Sequence, residues 1–266
     1  MRPCLRKTIW TLLAAVILAT PGVRAAEEKP YQITSGPSKV RVVELFSSQA
    51  RSSCPPAEEW FSTLREHPGL WTEIVPVSFH VSHWDDRGWK DRLATQEFTA
   101  RFIGWLSRWR SSTPYAPIVA LDGIEWSGWA KEEAIPAAVS QIPSGILGVK
   151  KISDSEYRVL YIPERYARGP WVLNGVLLGF GVPTHVESGE NVGKNLKQDF
   201  VALKYDHRTM ESTRDGFRAT LRLPTKGVTA AVAKEGMGLA VWVSCGDDIL
   251  PIQAAGSFLP GYGKKK

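Results

Sequence analysis

Cys54 is the residue around which chemistry can be built. It follows the apolar, β-branched run Val42-Val43-Glu44-Leu45-Phe46 and the small polar Ser47 and Ser48, and it stands directly before Pro55 and Pro56. From there the apolar residues fall at Ala57, Trp60, Phe61 and Leu64, the 3.6-residue period of a helix. Proline fits a first helical turn, where no N–H partner is required, so the pair sets Cys54 at or near a helix N-terminus. Unpaired N–H groups and the helix dipole favour a thiolate there, which is the nucleophilic form. Arg51 adds a nearby cation that would stabilise the same charge.

A second reactive group lies downstream. His80, His83, Asp85 and Asp86, taken with the Cys54 thiolate, make a conceivable site for Cu(I) or zinc. Their spacing is loose, and a strand-terminal histidine that satisfies local backbone groups is the plainer alternative. Cys245 offers a further choice: a structural disulfide to Cys54, if the two Cα atoms come within ~7 Å, or two separate thiols.

These side chains need elements to hold them. Val40 to Phe46 reads as a strand, residues 55 to 67 as a helix stopped by Pro68-Gly69, and Ile74 to Val81 as a second core strand. Strand, helix, strand implies a parallel pair with a right-handed crossover, whose functional groups gather at the carboxyl ends of the strands. His80 and Trp84 are therefore expected on the same rim as Cys54. Asp91 to Arg110 follows as an amphipathic helix, and Pro117 opens a strand from Ile118 to Leu121 that turns at Asp122-Gly123. Residues 131 to 141 read as a further helix. Beyond Gly145 the pattern changes to short alternating runs, Tyr157 to Ile162, Val172 to Phe180, Phe217 to Leu223 and Gly238 to Ser244, which predict antiparallel strands. The turn Gly189-Glu190-Asn191 reads as a loop capping its own backbone.

Val43 to Phe46, Ser48-Gln49 and Ser52 to Ala57 resemble the hallmark of secreted bacterial thioredoxin-like proteins of unknown function. The likeness continues through Phe79-His80-Val81, Trp84-Asp85 and Gly88-Trp89-Lys90-Asp91, through Tyr115-Ala116-Pro117, and through Gly189 to Leu196. That resemblance implies an α/β thioredoxin-like domain over residues 38–145 followed by a mainly β, antiparallel, sandwich-like domain over 146–260. It implies that Cys54, Arg51 and Pro117, the last with a cis bond, are the catalytic positions, and that His80, Trp84, Asp85 and Ala116 face the substrate. This chain departs from the family at Arg51, which stands where the family has the first cysteine of a C-x-x-C pair. Dithiol exchange within the motif is thereby ruled out.

Composition bounds the rest. Residues 1–25 have the basic start, apolar run and small-residue end of a secretory leader, which predicts a periplasmic or secreted protein. Arg2, Arg6, Lys7 and Arg24 of that leader and Lys264, Lys265 and Lys266 of the basic tail, 261–266, more than account for the formal charge of +6. The charge is therefore no argument for nucleic acid. No later stretch has the roughly 18 apolar residues of a membrane span. No nucleotide loop or nucleophilic-serine motif occurs, and nothing calls for a cofactor. Three readings compete: a possible thiol/disulfide oxidoreductase of altered or lost activity, in which Cys54 forms mixed disulfides with a protein or small-thiol partner; a non-catalytic module that binds a ligand or protein; and a metal site at Cys54 with His80 or His83.

Overall fold

The structure is a computed structural model that describes residues 31–131, 133–136, 142–164, 169–228 and 232–261. The leader and all of the tail but Gly261 lie outside these residues. So does most of the helix expected over 131–141.

Chain order begins with β1 (Gln32–Thr34) and β2 (Arg41–Ser47), followed by helix α1 (Cys54–Thr63), β3 (Ile74–His80), helix α2 (Gln96–Arg108), β4 (Ile118–Leu121) and β5 (Ile124–Glu125). It continues with β6 (Ile146–Lys151), β7 (Glu156–Ile162), β8 (Trp171–Phe180), β9 (Val182–His185), β10 (Asn195–Gln198), β11 (Val201–Thr209), β12 (Glu211–Thr213), β13 (Gly216–Arg222), β14 (Gly236–Cys245) and β15 (Gln253–Phe258). The helix expected from Asp91 starts later because Thr95 is its N-cap, accepting the Phe98 N–H on its side chain.

The expected α/β thioredoxin-like domain followed by a separate β domain is not what forms. Strand dominates, and α1 and α2 are the only α-helices among the described residues. Eight strands make one sheet in the order β15-β14-β8-β11-β3-β2-β4-β5, mixing strands from both sides of residue 145. The strand–helix–strand unit is real, with β2 and β3 parallel over seven residue pairs from Arg41↔Ile74 to Ser47↔His80. Its sheet does not end there, because β3 also takes β11 as a parallel neighbour at Ser78↔Val201. A second sheet, β1-β6-β7-β13-β12, and the small pair β10-β9 complete the set.

The period of two along β8 explains the layering. Val176, Leu178 and Phe180 point into one core with Val43, Leu45, Phe46, Phe79, Phe102 and Trp242, beneath the helices. Leu173 and Leu177 point the other way, into a second core with Val149, Tyr157, Val159, Tyr161 and Leu221 of the five-stranded sheet. A strand covered on both faces is apolar along nearly all its length, here with Asn174 as its one polar side chain, and all but one of its ten residues are buried. Gly175 allows the second sheet to come close: a Cβ there would meet Leu221 Cδ1 at 2.3 Å.

Two buried polar devices bind distant segments. Glu44, fully buried in β2, accepts both guanidinium arms of Arg101 from α2 at 2.6 and 2.9 Å and the indole N–H of Trp105 at 3.2 Å. Such a pair is strongly destabilising to break from one side, by about 3–5 kcal/mol. Gln253 of β15, also fully buried, accepts the Val40 N–H and donates to the carbonyls of Gly36, Ser38 and Gly145.

Candidate functional site

The turn from Ser48 to Ser53 carries the chain from β2 into α1, and the helix opens on Cys54 with proline in its first turn, as its residues demand. What surrounds the thiol departs from the expectation. Cys54 has no exposed surface, belongs to the helix-side core that also holds Ala50, Ala57 and Val81, and receives the Ser48 N–H on its sulfur at 3.4 Å. Burial pushes the thiol up to about 12, with the Glu58 carboxylate raising it further, against the weaker pull of the Ser47 and Ser48 hydrogen bonds. A thiol so placed is protonated and inert. Cys54 and Cys245 are not bridged, which excludes the disulfide alternative.

Arg51 does not serve the sulfur. Its guanidinium pairs with Glu190 at 2.8 Å and lies over the Trp84 ring at 5.9 Å. Glu190 also takes the N–H and hydroxyl of Ser52, at 2.8 and 2.9 Å, and these bonds hold its carboxyl below the usual range. Asn191, fully buried, donates to the carbonyls of Gln49 and Arg51, both at 2.9 Å. The Gly189-Glu190-Asn191 turn thus clamps the turn before α1, where the sequence suggested only self-capping.

Glu58 comes from the same helical face as Cys54 and Phe61, and nothing but that spacing could have marked it. It is buried and accepts the Ser47 hydroxyl and the Gln198 amide, the latter at 2.9 Å. Gln198 accepts in turn from Gln49, whose amide also reaches Thr184 and whose carbonyl oxygen takes the Trp89 indole N–H. A continuous buried polar network therefore runs from the β9-β10 pair to Cys54.

His80 belongs to this network and not to an open rim. It has no exposed surface, its Nδ1 lies 2.7 Å from Asp91 Oδ2, and its Nε2 has no hydrogen-bond partner among the described residues. Burial alone would lower its pKa, but the charge and hydrogen bond of Asp91, with Glu58 beyond, lift it above 6.5. Asp91 also takes the Gln49 N–H at 2.8 Å, and its own N–H donates to Asp85 at 3.1 Å. Trp84 is buried, whereas His83 is exposed and stands edge-on to it, so the two histidines point to different surroundings. Among the described residues no three His, Cys, Asp or Glu side chains converge as metal ligands, so the proposed set is not brought together.

What faces outward is the edge above the network. Ser52 and Ser53 are exposed, Ser53 donates its hydroxyl to the Ala116 carbonyl at 2.9 Å, and the Ala116–Pro117 bond is cis. Ala116 is buried and Pro117 half-buried. The structure thus brings Arg51, Ser53, Ala116 and Pro117 to one edge and leaves Cys54, His80 and Trp84 beneath it.

Fold and site together define a mainly β protein whose buried polar network lies under a clamped strand-to-helix turn. The chain belongs to the family described as protein of unknown function (DUF1223), whose model matches residues 42–244, from within β2 to the penultimate residue of β14. Among solved structures it is similar to protein AGR_C_4864 from Agrobacterium tumefaciens, with 24% identity and a TM-score of 0.53 over 87% of this chain and 98% of that one. It is also similar to HBP35 of Porphyromonas gingivalis, with 12% identity and a TM-score of 0.53 over 86% of this chain and 77% of that one. Both likenesses speak to the fold alone. No curated protein matches.

Proposed function

We propose that this protein is a non-catalytic binding module, acting outside the cytoplasm as its leader-like residues 1–25 indicate, and that a protein or ligand docks on the edge formed by Arg51 to Ser53 and Pro117. The observation that carries this reading is the complete burial of Cys54 beside the Glu58 carboxylate. Exchange needs an exposed thiolate, and this thiol is neither exposed nor ionised near neutral pH. The outward groups, by contrast, are fixed without being consumed: Glu190 orients Arg51 and Ser52, and Ala116 orients Ser53. Preorganised polar groups lose little freedom when a partner arrives.

Alkylation followed by mass spectrometry tests this. In the folded protein at about pH 8, iodoacetamide should leave Cys54 unmodified over hours and label it promptly after unfolding. Fast native labelling, or reduction of a disulfide substrate by the folded protein, would overturn the reading. On the positive side, Ser53→Tyr should keep the melting temperature while abolishing co-purification of a bound protein or ligand that Thr213→Tyr retains; equal retention by both would move the docking surface elsewhere.

A further inference from the structure

The outward face of the five-stranded sheet carries a second surface, independent of the edge above Cys54. Alternation along the strands puts Lys150, Arg158, Arg218 and Arg222 on that face, while Tyr157, Val159, Tyr161 and Leu221 turn into the core. The register sets Lys150 directly opposite Arg158, with Thr220 next in the same row. Like charges at directly opposed positions repel, so this pair costs stability unless an anion lies between or above it. Other cations nearby have answers: Arg222 reaches Glu156 at 3.3 Å, Arg218 reaches Asp215 at 2.9 Å, and Arg208 reaches Asp206 at 3.0 Å. Lys150 and Arg158 have none among the described residues.

Space accompanies the charge. A hollow of about 360 Å³ lies among Arg158, Arg208, Arg218 and Thr220, with the Glu211 carboxylate on its wall. Another of about 270 Å³ lies among Gln32, Lys150, Arg158 and Arg218. The two share Arg158 and Arg218, and Gly148, with no side chain, deepens the second. They form one shallow groove across the strands, with hydroxyl and amide groups among the cations.

We infer that this groove binds an extended anionic oligosaccharide, a sugar chain carrying sulfate or phosphate esters, with the esters on Lys150, Arg158 and Arg218 and the sugar hydroxyls on Gln32 and Thr220. Guanidinium groups are suited to such tetrahedral anions. A single-stranded nucleic acid would want aromatic rings to stack on, and the outward positions of these strands have none. A flat membrane would meet the groove's rims before its floor.

Fluorescence anisotropy with a labelled heparin-derived hexasaccharide tests the assignment. The full-length mature protein should bind it at ~50 mM salt and lose affinity steeply toward ~200 mM. Arg158→Gln should weaken binding about tenfold and Arg158→Gln/Arg218→Gln should abolish it, because each removes a charged contact. Arg222→Gln, outside both hollows, should change affinity less than about twofold. All three positions are exposed, and an unchanged melting temperature shows that each variant folds. No hexasaccharide binding, equal loss with Arg222→Gln, displacement by micromolar inorganic phosphate, or tighter binding of a single-stranded oligonucleotide or phosphatidylglycerol vesicles would each overturn the proposal.

Discussion

The imidazole of His80 stands between two carboxylates, Asp91 in contact and Glu58 farther off, with no water-exposed surface of its own. Because its folded pKa lies above the ordinary 6.5, the charged form contributes stability in full below that value and loses it as pH rises through the higher folded one. His80→Gln keeps a hydrogen-bonding group but cannot carry the charge. The difference in unfolding free energy between the native protein and this variant should therefore be largest near pH 5 and shrink on going to about pH 8 and beyond. A constant difference across that range would show that folding leaves the His80 pKa unshifted, and one that shrinks toward pH 5 would show that His80 is neutral when folded. The same residue measures what a sequence can tell. His80 was legible as a strand-end histidine near Cys54, but its partner was not, since Asp91 looks like the first residue of a helix until Thr95 takes that role.

At the scale of elements, the turn between β9 and β10 decides how the start of α1 behaves. Residues 188 to 194 reach back more than a hundred positions to hold Gln49, Arg51 and Ser52. Asn191→Ala removes two hydrogen bonds and leaves the buried Gln49 carbonyl without a donor, while the Arg51 carbonyl keeps the Cys54 N–H at 3.1 Å, so the variant should cost about 1–3 kcal/mol. Denaturant unfolding gives that number, and native-state alkylation of Cys54 should speed up in the same variant. An unchanged stability would mean that water replaces the amide without penalty. Strands β2, β3, β7, β8, β13 and β14 could be read from their periods, because alternation and unbroken apolar runs are local properties. The clamp could not, because it depends on a pairing between segments that share no pattern. The expected thiolate failed for the same reason: a helix N-terminus is visible in a sequence, whereas the burial of the sulfur, with the Ser48 N–H on it and the Glu58 carboxylate near it, arises only in the fold.

Taken whole, the molecule is two cores on either side of strands β8 and β14, and its dimensions are set where the sheets touch. Gly175→Ala places a Cβ 2.3 Å from Leu221 Cδ1 and should destabilise by about 1–3 kcal/mol, as overpacking does. Gly175→Ala/Leu221→Ala should not add the two single costs, since the smaller leucine replacement relieves the clash; strict additivity by chemical denaturation would place the strain elsewhere. Recognisable halves in the sequence did not become separate units, because register between β3 and β11 is chosen by tertiary packing and not by either strand alone. Gln253 carries that union furthest. Four backbone groups from residues 36 to 145 meet on one amide in β15, so the closure of the early half depends on that strand. The fastening comes from the far end of the chain, and a protease that removed that single strand would find the buckle of the molecule, not merely its hem.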